Sequence, residues 1–191
     1  ERYRHIEFTA HESVIASILR AIVGQQISNK AAATLWGRLC LLKHGRWDSF
    51  IVVTPTSTLR GLGFNPRKIT AMKEVAWRFV CGQWSEEGFA QMDDEAVSRA
   101  IESIRGLGPW SAMSVLIFAL KRPDIFPLDD FGVRQALVNL YFSDENVISV
   151  RRSGAKSRVK LLANVWAPYR TVATWFLWRS LENTPLEKES E

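Results

Sequence analysis

The stretch from Ile104 to Arg134 constrains this chain more than any other. It begins Ile104-Arg105-Gly106-Leu107-Gly108-Pro109-Trp110 and ends Pro127-Leu128-Asp129-Asp130-Phe131-Gly132-Val133-Arg134. Apolar residues at helical spacing flank the two glycines, so the sequence predicts two helices joined by a turn so tight that side chains would clash at its corners. Pro109 suits the first turn of the second helix, where a missing N–H is no loss. The opening N–H groups of such a helix lack partners within it and make a seat for a phosphate. A device of this kind grips backbone and cannot by itself read base sequence.

The surrounding chain has the means to support it. A length of 191 residues, 47% of them hydrophobic, allows one ordinary domain or two small lobes around a real core. Arg, Lys, Gln or Trp interrupts every apolar run before the roughly eighteen residues a membrane span needs, and Glu1 to His11 lack the layout of a secretory signal. The expectation is an intracellular protein with no membrane partner. Cys40 and Cys81 are the only cysteines, too few for a zinc site or an iron–sulfur cluster, and are read as buried, reduced thiols. A net charge of +5 fits a polyanionic partner but does not require one. Two basic runs, Arg67-Lys68 with Lys73, and Arg151, Arg152, Lys156, Arg158 and Lys160, suit either solvated helix faces or contact with DNA.

No stretch alternates with period two, so the predicted fold class is all-α, with about ten helices. Val14, Ile15, Ile18, Leu19, Ile22 and Val23 make the stripe of a first helix that stops at Gly24, and Ser28 is placed to cap the next. Leu41 to Pro55 reads as a connection with its own apolar cluster, and Thr56 opens a short helix. Leu59-Arg60-Gly61-Leu62-Gly63-Phe64-Asn65-Pro66 echoes the glycine turn, either as a second backbone-gripping hairpin or as a reused glycine cap, with the cap favoured. Met92 to Glu95 start the first helix of the hairpin with acidic residues, where the helix dipole favours them. Asp129 and Asp130 start another helix, Lys156 to Trp166 is helical again, and residues 183–191 read as a flexible tail.

Gly106-Leu107-Gly108, an apolar helix and then Asp130, twenty-two residues on, resemble the helix-hairpin-helix DNA glycosylases. Trp110 and the Pro-x-Asp-Asp spelling at Pro127 to Asp130 are most similar to the alkylated-base branch, the 3-methyladenine DNA glycosylase II type. The resemblance spans about Glu12 to Leu181 and implies two helical lobes with the active-site cleft between them. One lobe would hold about residues 26–130 and the other about 1–25 with 131–182.

It also implies roles. Asp130 would be the catalytic carboxylate, stabilising a cationic deoxyribose or polarising the attacking water; read from its position alone, the same residue is a helix N-cap, and both can hold. Trp110 and Trp178 match pocket aromatics that would stack on a flipped, positively charged base. Ser114 stands where a relative has a pocket tyrosine, which would enlarge the pocket or give it a hydroxyl; Tyr169 and Trp175 are expected to be packing residues. Gln26 takes the place of the wedge that fills the gap left by the base, with Gln25 beside it; the bland alternative is that both glutamines cap backbone groups. The amides of Gly106, Leu107, Gly108, Trp110 and Ser111 would hold DNA backbone. Carbonyls of Glu102, Ile104 and Gly106 would hold a monovalent cation, K+ or Na+, although Arg105 stands where proline is common. No other cofactor is expected. Trp110 also occupies the place of the lysine that cuts the strand in bifunctional relatives.

The reading that follows is a monomeric, monofunctional glycosylase of base excision repair, acting on damaged double-stranded DNA to release 3-methyladenine and 7-methylguanine. The alternatives are a uracil, hypoxanthine or other damaged-base enzyme on the same fold, or a DNA-binding module without catalysis.

Overall fold

The computed structural model describes residues 10–142 and 153–182. All regular structure among them is helical, as expected: α1 Val14–Gly24, α2 Asn29–Leu42, α3 Trp47–Val53, α4 Thr56–Gly61, α5 Pro66–Val80, α6 Glu86–Gln91, α7 Asp94–Glu102, α8 Pro109–Ser114, α9 Phe131–Tyr141, α10 Ser153–Val165 and α11 Arg170–Glu182. A π-helical stretch, Val115–Ala119, continues α8. The chain divides into two compact units at Lys121/Arg122.

The first unit is built around α1. Nine of its eleven residues are buried, so the helix is apolar on nearly every side and needs cover all round. It packs against α2, α3, α5, α6 and α8. Ile18, Leu19 and Ile22 are wholly enclosed, each stabilising the fold by about 1.5–3 kcal/mol through burial. Ser13 Oγ accepts from the Ala16 amide at 3.2 Å and Glu86 from the Val14 amide at 2.7 Å, so the first turn is capped from two directions. At the other end the Lys68 ammonium donates to the Val23 carbonyl at 2.7 Å.

Several expectations change here. Residues 1–25 were assigned by resemblance to the lobe of the C-terminal helices, yet α1 is a central helix of the first unit, because its all-round apolar surface is covered by α2, α5 and α8. The division also falls at residue 121, not at 130. Trp47 to Val53, read as a connection, is helical: Trp47, Phe50 and Ile51 recur at helical spacing and are buried. The short helix α6 was not anticipated. The basic run at Arg67, Lys68 and Lys73 is not a shared surface patch. Lys68 is buried, and Lys73 Nζ donates to the carbonyls of Val52 and Thr54, so burial lowers both ammonium pKa values. Cys40 and Cys81 are free but exposed, since each lies on an outer face of its helix end and not on a core stripe.

In the second unit α9 packs on α11 around Val133, Ala136, Leu137, Phe142, Val159 and Leu177. Arg151 and Arg152 of the second basic run lie outside the described residues, as does the tail expected from residue 183; Lys156, Arg158 and Lys160 are exposed on α10.

Candidate functional site

The site residues fall into two groups, one in each unit. In the first, α7 ends at Glu102, and Ile104, Arg105 and Gly106 make the turn into α8. Ile104 and Leu107 are buried and anchor it, and the Leu107 amide donates to the Ile104 carbonyl at 3.0 Å. Gly106 has φ +93°, a conformation that side chains resist. The glycines are not forced by crowding, however: a Cβ on Gly106 or Gly108 would meet nothing within 4 Å. The expected clash at the corners is thus corrected; Gly106 is needed for its dihedral, whereas Gly108 has extended backbone and room for a Cβ. Of the amides expected to face outward, that of Leu107 is engaged as above and that of Ser111 donates to the Gly108 carbonyl at 2.8 Å, so both are satisfied inside the turn.

Trp110, the second residue of α8, is 43% exposed, whereas Ser114, one turn on, is 6% exposed. The Ser114 carbonyl accepts from Ser17 Oγ at 3.2 Å, and Ser17 Oγ lies 2.9 Å from His11 Nδ1. Ser114 therefore sits in the packing between α8 and α1, and the enlarged or hydroxylated pocket expected of it is not what its burial offers. His11 is buried enough that desolvation, with the Arg20 charge adding to it, lowers its pKa to about 4.

Gln25 and Gln26 follow the end of α1. The Gln25 side-chain amide donates to the Gly106 carbonyl at 2.8 Å. Gln26 is exposed and has φ +58°, a left-handed conformation uncommon outside glycine, asparagine and aspartate. Ser28 then caps α2 as expected, accepting from the Ala31 amide.

In the second unit, Asp130 is the N-cap of α9. Its Oδ1 accepts from the Val133 amide and from the Trp178 indole Nε1, both at 2.8 Å. The cap and the tryptophan therefore share one oxygen, and the carboxylate has a fixed direction. Asp129 is exposed, and its carbonyl accepts from Arg134 Nη1 at 2.6 Å.

The sequence reading missed what holds this pair. Asp124 and Arg170 form a two-pronged ion pair, Nε to Oδ1 and Nη2 to Oδ2, both at 2.7 Å, which holds the Asp124 carboxyl below its usual pKa. Thr171 Oγ1 donates to the Arg122 carbonyl and accepts from the Ile125 amide, and Thr174 Oγ1 donates to the Ile125 carbonyl. Thr171, Thr174 and Trp178, three and four apart, lie along one face of α11, so the segment leading to Asp130 is laced to the helix that carries Trp178. Gly132 completes the arrangement. A Cβ there would stand 3.2 Å from both Asp130 Oδ1 and Trp178 Cδ1. The only hint in the sequence was a glycine inside a helical pattern, two residues after the acid. Trp175 is buried, as expected of a packing residue, but Tyr169 is 64% exposed.

A cavity of about 480 Å³ in the first unit, lined by residues that include Glu12, Trp47, Asp48, Trp84, Glu86 and Glu87, contains none of these residues. Glu86 caps α1, Asp48 pairs with Arg46 and Glu12 accepts from the Trp47 indole, so its polar groups serve the fold.

Among known proteins, the chain is 27% identical over 167 residues to the DNA-3-methyladenine glycosylase 1 of Schizosaccharomyces pombe, covering 85% of this chain and 70% of that one. The solved structure of a 3-methyladenine DNA glycosylase from the same yeast, in complex with abasic DNA, superposes with a TM-score of 0.77 at 25% identity, covering 95% of this chain and 87% of that one. The chain is similar to helix-hairpin-helix DNA glycosylases of the 3-methyladenine branch and shares their helical fold. The crystal structure of a DNA-3-methyladenine glycosidase from Bacillus halodurans matches the chain with a TM-score of 0.76 at 25% identity, over 92% of it and 78% of that protein. A Bacillus subtilis relative, provisionally named a DNA-3-methyladenine glycosylase, is 30% identical over 178 residues, and the chain spans 60% of its length. No family model matches. Among the described residues no helix is long and apolar enough to cross a membrane.

Proposed function

We propose that this chain is a monofunctional DNA glycosylase that flips alkylated purines out of double-stranded DNA and hydrolyses their N-glycosidic bond, leaving an abasic site. The observation that carries the reading is the state of Asp130. One carboxylate oxygen is committed to the Val133 amide and the Trp178 indole, which leaves the other to face the sugar. As the C1′–N bond breaks, its electron pair leaves with the base, and an alkylated purine that was cationic departs neutral. The deoxyribose becomes an oxocarbenium ion, which an oriented carboxylate in a partly dehydrated setting stabilises better than water does. A water oxygen then bonds to C1′, and its proton passes to Asp130 or to solvent. Trp178 orients the acid, and the exposed indole of Trp110 offers a face on which a cationic ring stacks.

An indole has no amine to attack the sugar, so Trp110 supports hydrolysis without strand cleavage. Gln26, exposed on a left-handed turn, is suited to the gap the base leaves and can hydrogen-bond the widowed partner. The amides of Gly106 and Gly108, and not those of Leu107 and Ser111, would hold DNA backbone. A monovalent cation at the hairpin is compatible with the carbonyls of Glu102, Ile104 and Gly106. Ile104 and Gly106 each already accept one hydrogen bond and retain a second lone pair. Such an ion would add positive charge toward a phosphate.

The test is base release from a panel of duplexes. Release of 3-methyladenine and 7-methylguanine, with no borohydride-trapped adduct, is the expected result. Activity confined to uracil or hypoxanthine would replace the substrate, and a trapped adduct would overturn the hydrolytic mechanism.

A further inference from the structure

The chemistry above uses Gln26 but leaves its neighbour unexplained. The Gln25 side chain reaches across 81 positions of sequence to the Gly106 carbonyl. That carbonyl can only accept, which fixes the amide with its NH2 toward the hairpin. Gly106 is the positive-φ residue of the turn, and Gln26, the residue after Gln25, is itself left-handed. The stem beneath is fastened on both sides, by Ser17 to the Ser114 carbonyl and by Lys68 to the Val23 carbonyl. One exposed hydrogen bond thus joins the part that would hold backbone to the part that would enter the duplex.

We propose that Gln25 is a positioning residue that couples the hairpin's hold on the DNA backbone to insertion of Gln26. The inference rests on the glycosylase reading. A turn that settles on a phosphate fixes the Gly106 carbonyl, and through the Gln25 amide it fixes the direction of the next residue. Without that bond the hairpin still holds DNA, but the wedge enters from a wider range of directions, and only the flipped state suffers.

The readout is the ratio of affinities for a duplex with an abasic-site analogue and for the undamaged duplex, which needs no turnover. Gln25→Met keeps the length and removes the donor. It is expected to lower the ratio about five- to tenfold, the worth of one hydrogen bond, with undamaged-duplex affinity and melting temperature unchanged. Gln26→Ala is expected to lower the ratio as well. The double variant is expected to lower it no further than Gln26→Ala alone, since a coupling residue has nothing to position once the wedge is gone. A ratio unaffected by Gln25→Met, or losses that multiply in the double variant, would overturn the proposal. If the unaltered protein discriminates abasic DNA yet releases no base, the enzymatic reading falls while the coupling is still decided by these ratios. If it does not discriminate at all, both fall.

Discussion

The hairpin turn of the first unit and the carboxylate turn of the second are built on opposite plans. The hairpin is local. Two buried side chains, one positive φ and a bond between neighbouring residues shape it, and two exposed side-chain hydrogen bonds, from Gln25 to the Gly106 carbonyl and from Arg78 to Ser103 Oγ, join it to distant chain. The carboxylate turn is held from far away: Asp124, the Ile125 backbone and Asp130 all meet partners on α11, forty-six to forty-nine residues on. A backbone grip needs little more than dihedral angles, whereas an acid that must point one way needs side chains locked by other side chains.

The sharpest way to separate the two is Asp130→Asn. The amide oxygen can still accept from Val133 and Trp178, so the cap and the fold remain. The charge opposite the sugar cation is lost, and base release is expected to fall about 100- to 1,000-fold, with abasic-analogue affinity within a few-fold. Turnover above a tenth of the original would remove Asp130 from its role. Gly132→Ala should come next. Alanine favours the helix by about 1 kcal/mol, but its methyl stands 3.2 Å from Trp178 and from Asp130, so the neighbours must give way. The expected result is release slowed about tenfold with no loss of thermal stability, the reverse of what a packing defect does.

This difference in plan explains what could be read in advance. The hairpin, Asp130 as a cap, and the cap at Ser28 were legible because each is a short word with a local meaning. Trp178 was found only through resemblance. Arg170, Thr171 and Thr174 gave no signal, and Gly132 only that of a glycine inside a helical pattern, because their partners are set by how α11 lies along the 122–130 segment. Burial misled in the same way: Lys68 and Lys73 spell a basic surface, and only packing shows that Lys68 donates to the Val23 carbonyl and Lys73 to those of Val52 and Thr54. Ser114 has the right spacing for a pocket and the wrong environment.

Breaking one long-range tie tests whether the second plan is cooperative. Arg170→Met removes both prongs of the pair with Asp124. The pair is about one-third exposed, so solvent screens it and the direct loss should be about 1–2 kcal/mol. If the ties orient the acid, base release drops with stability while undamaged-DNA affinity holds. An activity unchanged at temperatures well below melting would mean that Trp178 alone directs Asp130. Gly106→Ala probes the local plan. The added methyl meets nothing, so the expected cost is the dihedral alone, about 1 kcal/mol, with weaker binding to damaged and undamaged duplexes alike.

The smallest effect tells the units apart by acidity. His11 is neutral in the fold, with a pKa near 4 against about 6.5 for an unrestrained ring, because burial and then the Arg20 charge oppose its protonation. The unfolded chain therefore takes up a proton that the folded chain refuses. Stability is full above pH 6.5, declines as pH falls from there to about 4, and levels off below. Since the ring is partly open to solvent, the loss is on the order of 1 kcal/mol. The Asp124 carboxyl works in a lower window: Arg170 depresses its pKa, so its contribution is present above the usual carboxylate value and goes only as pH drops below that. Between pH 6.5 and 4, then, the first unit should loosen while the Asp124–Arg170 tie of the second is intact. Hydrogen exchange across that range is expected to quicken at α1 and α8, linked through Ser17 to His11, ahead of α11. His11→Gln should flatten the quickening, and an equal slope in both proteins would show that some other group carries the titration.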